Sequence, residues 1–311
     1  MRKVPALREG DTVAFVSPSS QSSMDSIEKA VRVTEDMGFR VKLSRSCYES
    51  EGYHAGGDFV RADDINRAFL DPEVRGVFCV RGGDGAIRLP QRLDLDAIYR
   101  NPKVFLGYSD VTILHLVLNR PRGFITFHGP MPATDFISSS FPGYVRDGLL
   151  RAVTGVEPLE EIAPCPGGPA METLVPGTAE GELTGGNLAL ICALMGTPWE
   201  IDTRGKILLL EDTDEPVFRI DRMLTQLRLA GKLDDAAGIV LGQFTRIPPR
   251  KPKDSFTLPE VLEAILVPEG KPTLVNACFG HGPRKATLPM GARAVLDGSR
   301  STLTVVEPGV E

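Results

Sequence analysis

The chain has 311 residues, of which 42% are hydrophobic and 24% are charged, and its formal net charge is −6. This length is enough for two domains with substantial cores, and the composition excludes an intrinsically disordered chain. The negative charge, and the lack of any Lys/Arg block with interleaved aromatic residues, argue against nucleic acid as a partner.

The N-terminal residues and the cysteines indicate a compartment. The N-terminus lacks the apolar core of a signal peptide, and no run of the sequence approaches the ~20 apolar residues of a membrane span. The five cysteines are scattered without a C-x-x-C pair, so we expect them to be buried and reduced. They are Cys47, Cys79, Cys165, Cys192 and Cys278. We therefore expect a cytoplasmic protein without a membrane partner.

Strand and helix patterns alternate in the first part of the chain. Runs of β-branched and aromatic residues predict strands, and apolar residues at helical spacing predict the helices. In chain order they are a strand over Thr12–Val16, a helix over Asp25–Met37, a strand over Arg40–Ser44, a helix over Phe59–Phe69, a strand over Arg75–Val80 and a strand around Phe105. This alternation predicts βαβ units in a parallel, doubly wound α/β sheet.

Three loops follow these strands at the carboxyl edge of the predicted sheet, where such sheets bind ligands. They are Ser17–Ser20, Arg81–Gly85 and Gly107–Asp110. In the last of them an apolar run stops and a helical pattern begins directly after Ser109. A serine at such a corner can be a helix N-cap, an exposed nucleophile or both, and the local pattern leaves these interpretations open.

The glycine-rich loop and the serine corner each match known motifs only in part. Arg81–Gly85 fits neither G-x-G-x-x-G nor the Walker pattern, although its glycines allow backbone N–H groups to turn outward as an oxyanion hole requires. The serine corner has only half of the G-x-S-x-G elbow because Val111 replaces the second glycine. This disfavours an α/β-hydrolase.

Residues 137–178 are rich in Pro, Gly and Ser and show little periodicity. We expect them to link an N-terminal domain over residues 1–136 to a C-terminal domain over residues 179–311. A segment beyond about 15 residues without a pattern implies either a functional role or short elements that the pattern hides.

The second region predicts further strands and helices. They are helices over Leu188–Met195, Phe218–Ala230 and Leu258–Leu266, strands over Lys206–Leu210, Gly238–Phe244, Ala294–Leu296 and Thr302–Val306, and a short strand before Gly280. Gly231 fits the end of the second of these helices.

A serine nucleophile needs a base and a group that orients the base. The chain has four histidines. His115 lies in an apolar helix, where a packing role is expected, while His54 lies in a glycine-rich loop and His128 in a turn. His281 stands between two glycines that allow an exposed imidazole, so we choose His281 as the base.

Glu211 is the best candidate for the orienting group because it directly follows a buried strand. The acidic run from Glu211 to Glu215 could instead cap the next helix, form a solvated turn or bind a hard cation. The run lacks the regular ligand spacing of a calcium loop, so we expect no metal.

Several motifs, in this order, resemble the LD-carboxypeptidase family of serine peptidases, which also contains the microcin C self-immunity proteins. The resemblance runs from the Ser17–Ser20 loop to the end of the chain. Its motifs are Arg81-Gly-Gly-Asp-Gly85, Gly107-Tyr-Ser-Asp110, His128-Gly-Pro130, Leu183-Thr-Gly-Gly-Asn-Leu188, Gly196-Thr-Pro198, Leu210-Glu-Asp212, Ile220-Asp-Arg-Met223, Phe279-Gly-His281 and Leu288-Pro-Met-Gly291.

The resemblance implies a catalytic triad of Ser109, Glu211 and His281. It also implies an oxyanion hole formed by the backbone N–H groups of Asp110 and Gly83. The chain departs from the family at residue 84, where an aspartate replaces the usual aromatic residue and changes the expected wall of the substrate cleft.

The family further implies a flavodoxin-like N-terminal domain and a β-rich C-terminal domain that form the cleft between them, in a homodimer without metal or cofactor. The implied reaction removes the terminal D-alanine of murein tetrapeptides during cytoplasmic peptidoglycan recycling. One alternative is an immunity-type amidase that cleaves a peptidyl-nucleotide, and another is a non-catalytic small-ligand or nucleotide binder that uses Gly82–Gly85. The compact chain with a single tryptophan, Trp199, favours the murein enzyme.

Overall fold

The computed structural model describes residues 1–248 and 252–311, and these residues form two compact units. The first unit comprises Met1–Pro158, Ala286–Gly291 and Pro308–Glu311, and the second comprises Leu159–Lys285 and Ala292–Glu307. The functional domain limits given above, residues 136 and 179, stay a prediction.

The strands agree with the sequence patterns wherever β-branched and apolar residues form a run. They are β1 Thr12–Val16, β2 Arg40–Leu43, β3 Val74–Cys79, β4 Val104–Gly107, β5 Thr126–His128, β6 Glu160–Glu161, β7 Glu172–Val175, β8 Thr178–Asn187, β9 Ile207–Thr213, β10 Gly238–Thr245, β11 Thr273–Val275, β12 Leu288–Met290, β13 Arg293–Asp297 and β14 Thr302–Val305. Strand β8 was missed because its glycines weaken a strand pattern.

The helices lie where apolar residues recur at helical spacing. They are α1 Met24–Asp36, α2 Asp58–Leu70, α3 Leu95–Arg100, α4 Thr112–Leu118, α5 Arg146–Thr154, α6 Leu188–Ala193, α7 Val217–Leu229, α8 Lys232–Asp235 and α9 Leu258–Leu266. Helix α9 begins with a capping box formed by Thr257 and Glu260, and its bounds are those predicted. Among the described residues, no helix has both the length and the apolar composition needed to cross a membrane.

The first unit is built on a sheet with the strand order β12-β5-β4-β3-β1-β2. Strands β1 to β5 pair in parallel in the order 2-1-3-4-5, which is that of flavodoxin-like folds. Every residue of β4 is buried, as expected when helices cover both faces of a parallel sheet. The predicted flavodoxin-like sheet is therefore confirmed, with β12 added antiparallel at its edge.

The second unit is built on a mixed sheet with the order β6-β14-β13-β8-β9-β10-β11-β7. Its centre, from β8 to β11, is parallel, and the strands on either side are antiparallel. This confirms the β-rich C-terminal part. The centre matters for the site because β9 and β10 lie side by side there.

The segment over residues 137–178 contains the short elements that its composition hides. Helix α5 belongs to the first unit, whereas β6 and β7 lie at the two edges of the sheet in the second unit. Edge strands of two and four residues leave little periodicity in the sequence.

The cysteines correct one expectation. Cys165 and Cys278 form a disulfide with their Cα atoms 4.9 Å apart, so the prediction that all five are reduced is wrong for this pair. The two residues are 113 positions apart, and sequence spacing alone does not show that the fold brings them together. Cys47 and Cys79 are buried thiols, as expected, and Cys192 is a half-buried thiol.

Candidate active site

Ser109 lies at the corner where β4 ends and a short 3-10 turn leads into α4. Its φ is +64°, in the left-handed region that residues with a side chain seldom adopt. Ser109 is partly exposed, while its neighbours Tyr108 and Asp110 are buried. A strained corner that presents a serine is the backbone arrangement of a nucleophile elbow.

The N-cap interpretation of Ser109 is wrong. Helix α4 begins at Thr112, and Val111 occupies its N-cap position. The 3-10 turn before α4 begins at Ser109 itself, and its N-cap residue is Tyr108, whose backbone is extended while that of Ser109 is left-handed. The strain at Ser109 is therefore not explained by helix capping.

The glycine-rich loop approaches Ser109 through Gly82. A Cβ atom on Gly82 would lie 2.8 Å from the Cβ of Ser109 and 3.0 Å from its Oγ, so only glycine allows this approach. The loop after β1 joins them, because the Ser20 N–H donates to the Gly82 carbonyl at 3.3 Å. The structure thus brings together the three loops that the sequence placed at the edge of the first sheet.

The next two residues of the loop are exposed, and they are the predicted oxyanion residue Gly83 and the unusual Asp84. Gly83 has a φ of 117°, and the Asp84 N–H donates to Ser20 Oγ at 3.1 Å. A polar cavity of ≈ 570 Å³ lies beside this loop and is lined in part by Ser22, Tyr48 and Arg81. The Glu49 carboxylate lines it as well, so the cavity suits a polar ligand that carries both donors and acceptors.

Asp110 ties the serine corner to the glycine-rich loop. Its Oδ2 accepts the Ala86 N–H at 2.8 Å, and only 2% of the residue is exposed. Burial raises the pKa of the Asp110 carboxyl to about 6, and the negative charge of Asp84 contributes in the same direction.

His115 supports the corner from the core and is not placed as a base. Its Nε2–H donates to the Gly107 carbonyl, and its Nδ1 accepts the Thr126 hydroxyl, both at 2.8 Å. Complete burial lowers the pKa of His115 to about 4, which keeps the imidazole neutral. The packing role predicted for His115 agrees with these contacts.

Glu211 and His281 form a hydrogen-bonded pair in the second unit. The Nδ1–H of His281 donates to Glu211 Oε2 at 2.6 Å. The Glu211 side chain is fully buried, while that of His281 is 13% exposed. A buried carboxylate that holds an imidazole at Nδ1 is the arrangement of a general base and its orienting group.

The local backbone explains why the pair is so close. Glu211 lies inside β9, which continues to Thr213, and not just after the strand as the sequence predicted. A Cβ atom on Gly280 would lie 2.7 Å from Glu211 Oε2, so glycine is required beside His281. The second oxygen of Glu211, Oε1, is buried and has no hydrogen-bond partner within residues 1–248 and 252–311.

Each of the other acidic residues of the Glu211–Glu215 run binds partners of its own. Asp212 accepts the amide of Asn187 and the backbone N–H groups of Ala189 and Thr213, and burial raises the pKa of Asp212 to about 6.

The last two acidic residues of the Glu211–Glu215 run make ion pairs. Asp214 pairs with Arg246 at 2.6 Å, and Glu215 pairs with Arg219 at 3.1 Å. In the part of the chain that the structure describes, no three His, Cys, Asp or Glu side chains are grouped to hold a metal ion.

The chain matches the models of one protein family over most of its length. Residues 13–129 match the model of the LD-carboxypeptidase N-terminal domain, and residues 180–296 match that of the C-terminal domain. The chain belongs to the LD-carboxypeptidase family. It is thus a serine-type peptidase, as its motifs predicted.

Individual proteins resemble the chain over nearly its whole length. A probable murein peptide carboxypeptidase of Bacillus subtilis is 40% identical over 99% of this chain and 95% of its own. The crystal structure of muramoyltetrapeptide carboxypeptidase from Oxalobacter formigenes has a TM-score of 0.83 at 27% identity and covers 96% of this chain and 99% of its own. The structure of MccF with glutamyl sulfamoyl guanosine has a TM-score of 0.89 at 23% identity with complete coverage of both chains, and so shares the fold.

Proposed function

We propose that this protein is a serine carboxypeptidase that hydrolyses the L,D-amide bond holding the terminal D-alanine of murein tetrapeptides. The hydrogen bond between buried Glu211 and His281 carries the proposal, because it is the feature that a serine peptidase needs to activate its nucleophile. The names of the Bacillus and Oxalobacter relatives support murein peptides as the substrate class.

In this proposal Ser109, His281 and Glu211 act as the nucleophile, the base and the orienting group. Ser109 Oγ attacks the amide carbonyl while His281 Nε2 takes its proton, and Glu211 stabilises the imidazolium that forms. His281 then gives the proton to the leaving amine of D-alanine, and the C–N bond breaks. Water, activated by the same imidazole, hydrolyses the acyl-enzyme and restores Ser109.

The oxyanion of each tetrahedral intermediate would be bound by the backbone N–H groups of Asp110 and Gly83. The proximity of Gly82 to Ser109 supports this assignment, since the same loop and the same corner provide the two donors. We further propose, from the family resemblance, that the enzyme acts in the cytoplasm, in peptidoglycan recycling, as a homodimer without metal or cofactor. The Cys165–Cys278 disulfide removes the argument for this compartment from reduced cysteines.

Mass spectrometry of a murein tetrapeptide incubated with the enzyme tests the proposal. We expect the wild type to release one alanine, with or without a chelator, and Ser109→Ala to release none. Ser139→Ala, which changes an exposed serine, is the matched control and keeps full activity.

Two other outcomes would change the assignment. Cleavage of a peptidyl-nucleotide, with the tetrapeptide left intact, would make the protein an immunity-type amidase. Nucleotide binding that survives Ser109→Ala, without hydrolysis of either substrate by the wild type, would make it a binding protein. Light scattering of the purified protein tests the dimer.

A further inference from the structure

The Gln243 side chain makes two hydrogen bonds to the turn that carries His281, Phe279–Arg284. The Oε1 of Gln243 accepts the Gly282 N–H at 2.7 Å, and its Nε2 donates to the Arg284 carbonyl at 3.0 Å. The carbonyl and the NH₂ group of the Gln243 amide thus both bind backbone groups of residues that follow His281.

The backbone of Gln243 holds the other end of the same turn. Its N–H donates to the Phe279 carbonyl at 2.8 Å, and Gln243 bridges to Gly280 in parallel. A Cβ atom on Gly282 would overlap the Gln243 amide, so the glycine after His281 is what lets the side chain reach the turn. Gln243 therefore contacts the turn on both sides of His281.

Gln243 and Glu211 are fixed by the same pair of strands. Gln243 lies in β10 and Glu211 in β9, and these strands pair in parallel with an irregularity between Leu241 and Phe244. Since Glu211 is buried in its strand, the hydrogen bond to His281 depends on where the turn sits. The sheet thus fixes the carboxylate through one strand and the imidazole through the next.

A covalent bond restrains the same turn at its start. Cys278, directly before Phe279, is joined to Cys165, and the Nε2 of Gln243 also contacts the Cys165 sulfur at 3.0 Å. The disulfide fixes residues before His281, whereas the amide of Gln243 fixes those after it. Removing the amide would leave the disulfide before His281 and the bond from Arg284 Nη1 to the Pro166 carbonyl, and would free the Gly282 N–H directly after His281.

We propose that Gln243 is a positioning residue that keeps the His281 imidazole aligned with Glu211 for its role as the base. The inference rests on the proposed function, because it assumes that His281 takes the proton of Ser109. Gln243 itself touches no reacting atom in this scheme. Its contribution is the orientation of a base, and a small misplacement of a catalytic group reduces the rate strongly.

Gln243→Leu tests the proposal, since leucine has a similar size but makes neither hydrogen bond. We expect kcat on the murein tetrapeptide to fall by about 10-fold to 100-fold with little change in KM. Gln243→Glu keeps an acceptor for Gly282 but loses the donor to Arg284, so we expect an intermediate fall. Gln226→Leu, on the exposed face of α7, is the matched control and keeps the wild-type kcat.

Nuclear magnetic resonance of His281 gives a readout that does not depend on turnover. We expect the proton on Nδ1, hydrogen-bonded to Glu211, to give a far-downfield signal in the wild type and Gln243→Leu to weaken or shift that signal. An unchanged kcat together with an unchanged signal would overturn the proposal. If circular dichroism shows that Gln243→Leu does not fold, kcat and the His281 signal of Gln243→Glu test the proposal instead.

The two proposals fail separately. A wild type that leaves every murein tetrapeptide intact contradicts the proposed function, while the His281 signal still shows whether Gln243 positions the imidazole. A wild type that is active, beside a Gln243→Leu variant with the same kcat and the same signal, contradicts only the role of Gln243.

Discussion

The two halves of the proposed triad are built by different means. The serine corner of the first unit is made by the backbone, through the left-handed φ of Ser109 and the close approach of Gly82. The Glu211–His281 pair of the second unit is made by side chains on two neighbouring strands, Glu211 on β9 and Gln243 on β10, and a disulfide before His281 restrains the same turn. Backbone shape can present a serine hydroxyl, whereas a base needs a defined tautomer and so needs a hydrogen-bond partner.

The largest effect should come from the side-chain half. Glu211→Gln replaces the acceptor of the His281 Nδ1–H with an amide that can favour the wrong tautomer, and we expect kcat to fall by about 10⁴-fold. Steady-state kinetics on the tetrapeptide measure the fall, with Glu172→Gln at an exposed position of β7 as control. A kcat close to that of the wild type would show that Glu211 does not orient His281.

The disulfide should matter next, and for stability. Replacing Cys165 and Cys278 together by serine opens a link that spans 113 positions, so we expect the free energy of unfolding to fall by about 4 kcal/mol. Urea titration measures the change, and the wild type treated with a dithiol should match the variant. Equal urea midpoints for the oxidised wild type and the variant would contradict a stabilising disulfide.

In the first unit, Asp110 should make stability depend on pH. Its pKa is about 6 in the folded protein and 3.8 as the ordinary value, so the folded state binds the proton more tightly. The stability that this proton adds is complete below pH 3.8 and is lost as the pH rises to about 6.

Asp110→Asn removes this dependence because the amide can still accept the Ala86 N–H but does not titrate. We expect the wild type to lose about 3 kcal/mol more than the variant between about pH 3 and about pH 7, a range that extends beyond both pKa values. Parallel urea titrations at both pH values measure the difference. Identical pH dependence in the two proteins would mean that Asp110 is ionised at no cost.

The smallest effect expected here tests the backbone half. Gly82→Ala forces its Cβ against Ser109, so we expect kcat to fall by about 10²-fold through displacement of the nucleophile. Gly148→Ala in α5 is the control, because its Cβ would have no atom within 4 Å among the described residues. Full activity of Gly82→Ala would show that the corner tolerates movement and weaken the contrast between the halves.

The sequence predicted what local patterns determine. Alternating strand and helix patterns were sufficient for the parallel sheet of the first unit, and the capped helix α9 had its exact bounds in the sequence. What it missed depends on contacts between distant residues, such as β12, a three-residue strand with a proline that is recognisable only beside β5. The disulfide was missed for the same reason, whereas β8 was missed because its own glycines weaken the strand pattern.

The site shows the same limit on a smaller scale. The two glycines beside His281 indicated that other groups approach the backbone closely there. In the structure Glu211 lies against Gly280, and the Gln243 amide lies against Gly282. Nothing in the sequence pointed to Gln243, because a polar residue near the end of an apolar strand is common and indicates no particular role. Ser109 was ambiguous since its φ, which separates a cap from a strained corner, is not encoded by residue type.

The edge strand β12 has a consequence for synthesis on the ribosome. Its residues, 288–290, follow almost the whole second unit in the chain but complete the sheet of the first. Until they emerge, β5 presents an unpaired edge of backbone N–H and C=O groups. Most of the sheet that carries Ser109 is thus translated early, but its last strand is translated late. The nascent chain therefore exposes the edge of β5 while the second unit, which carries His281, is being translated.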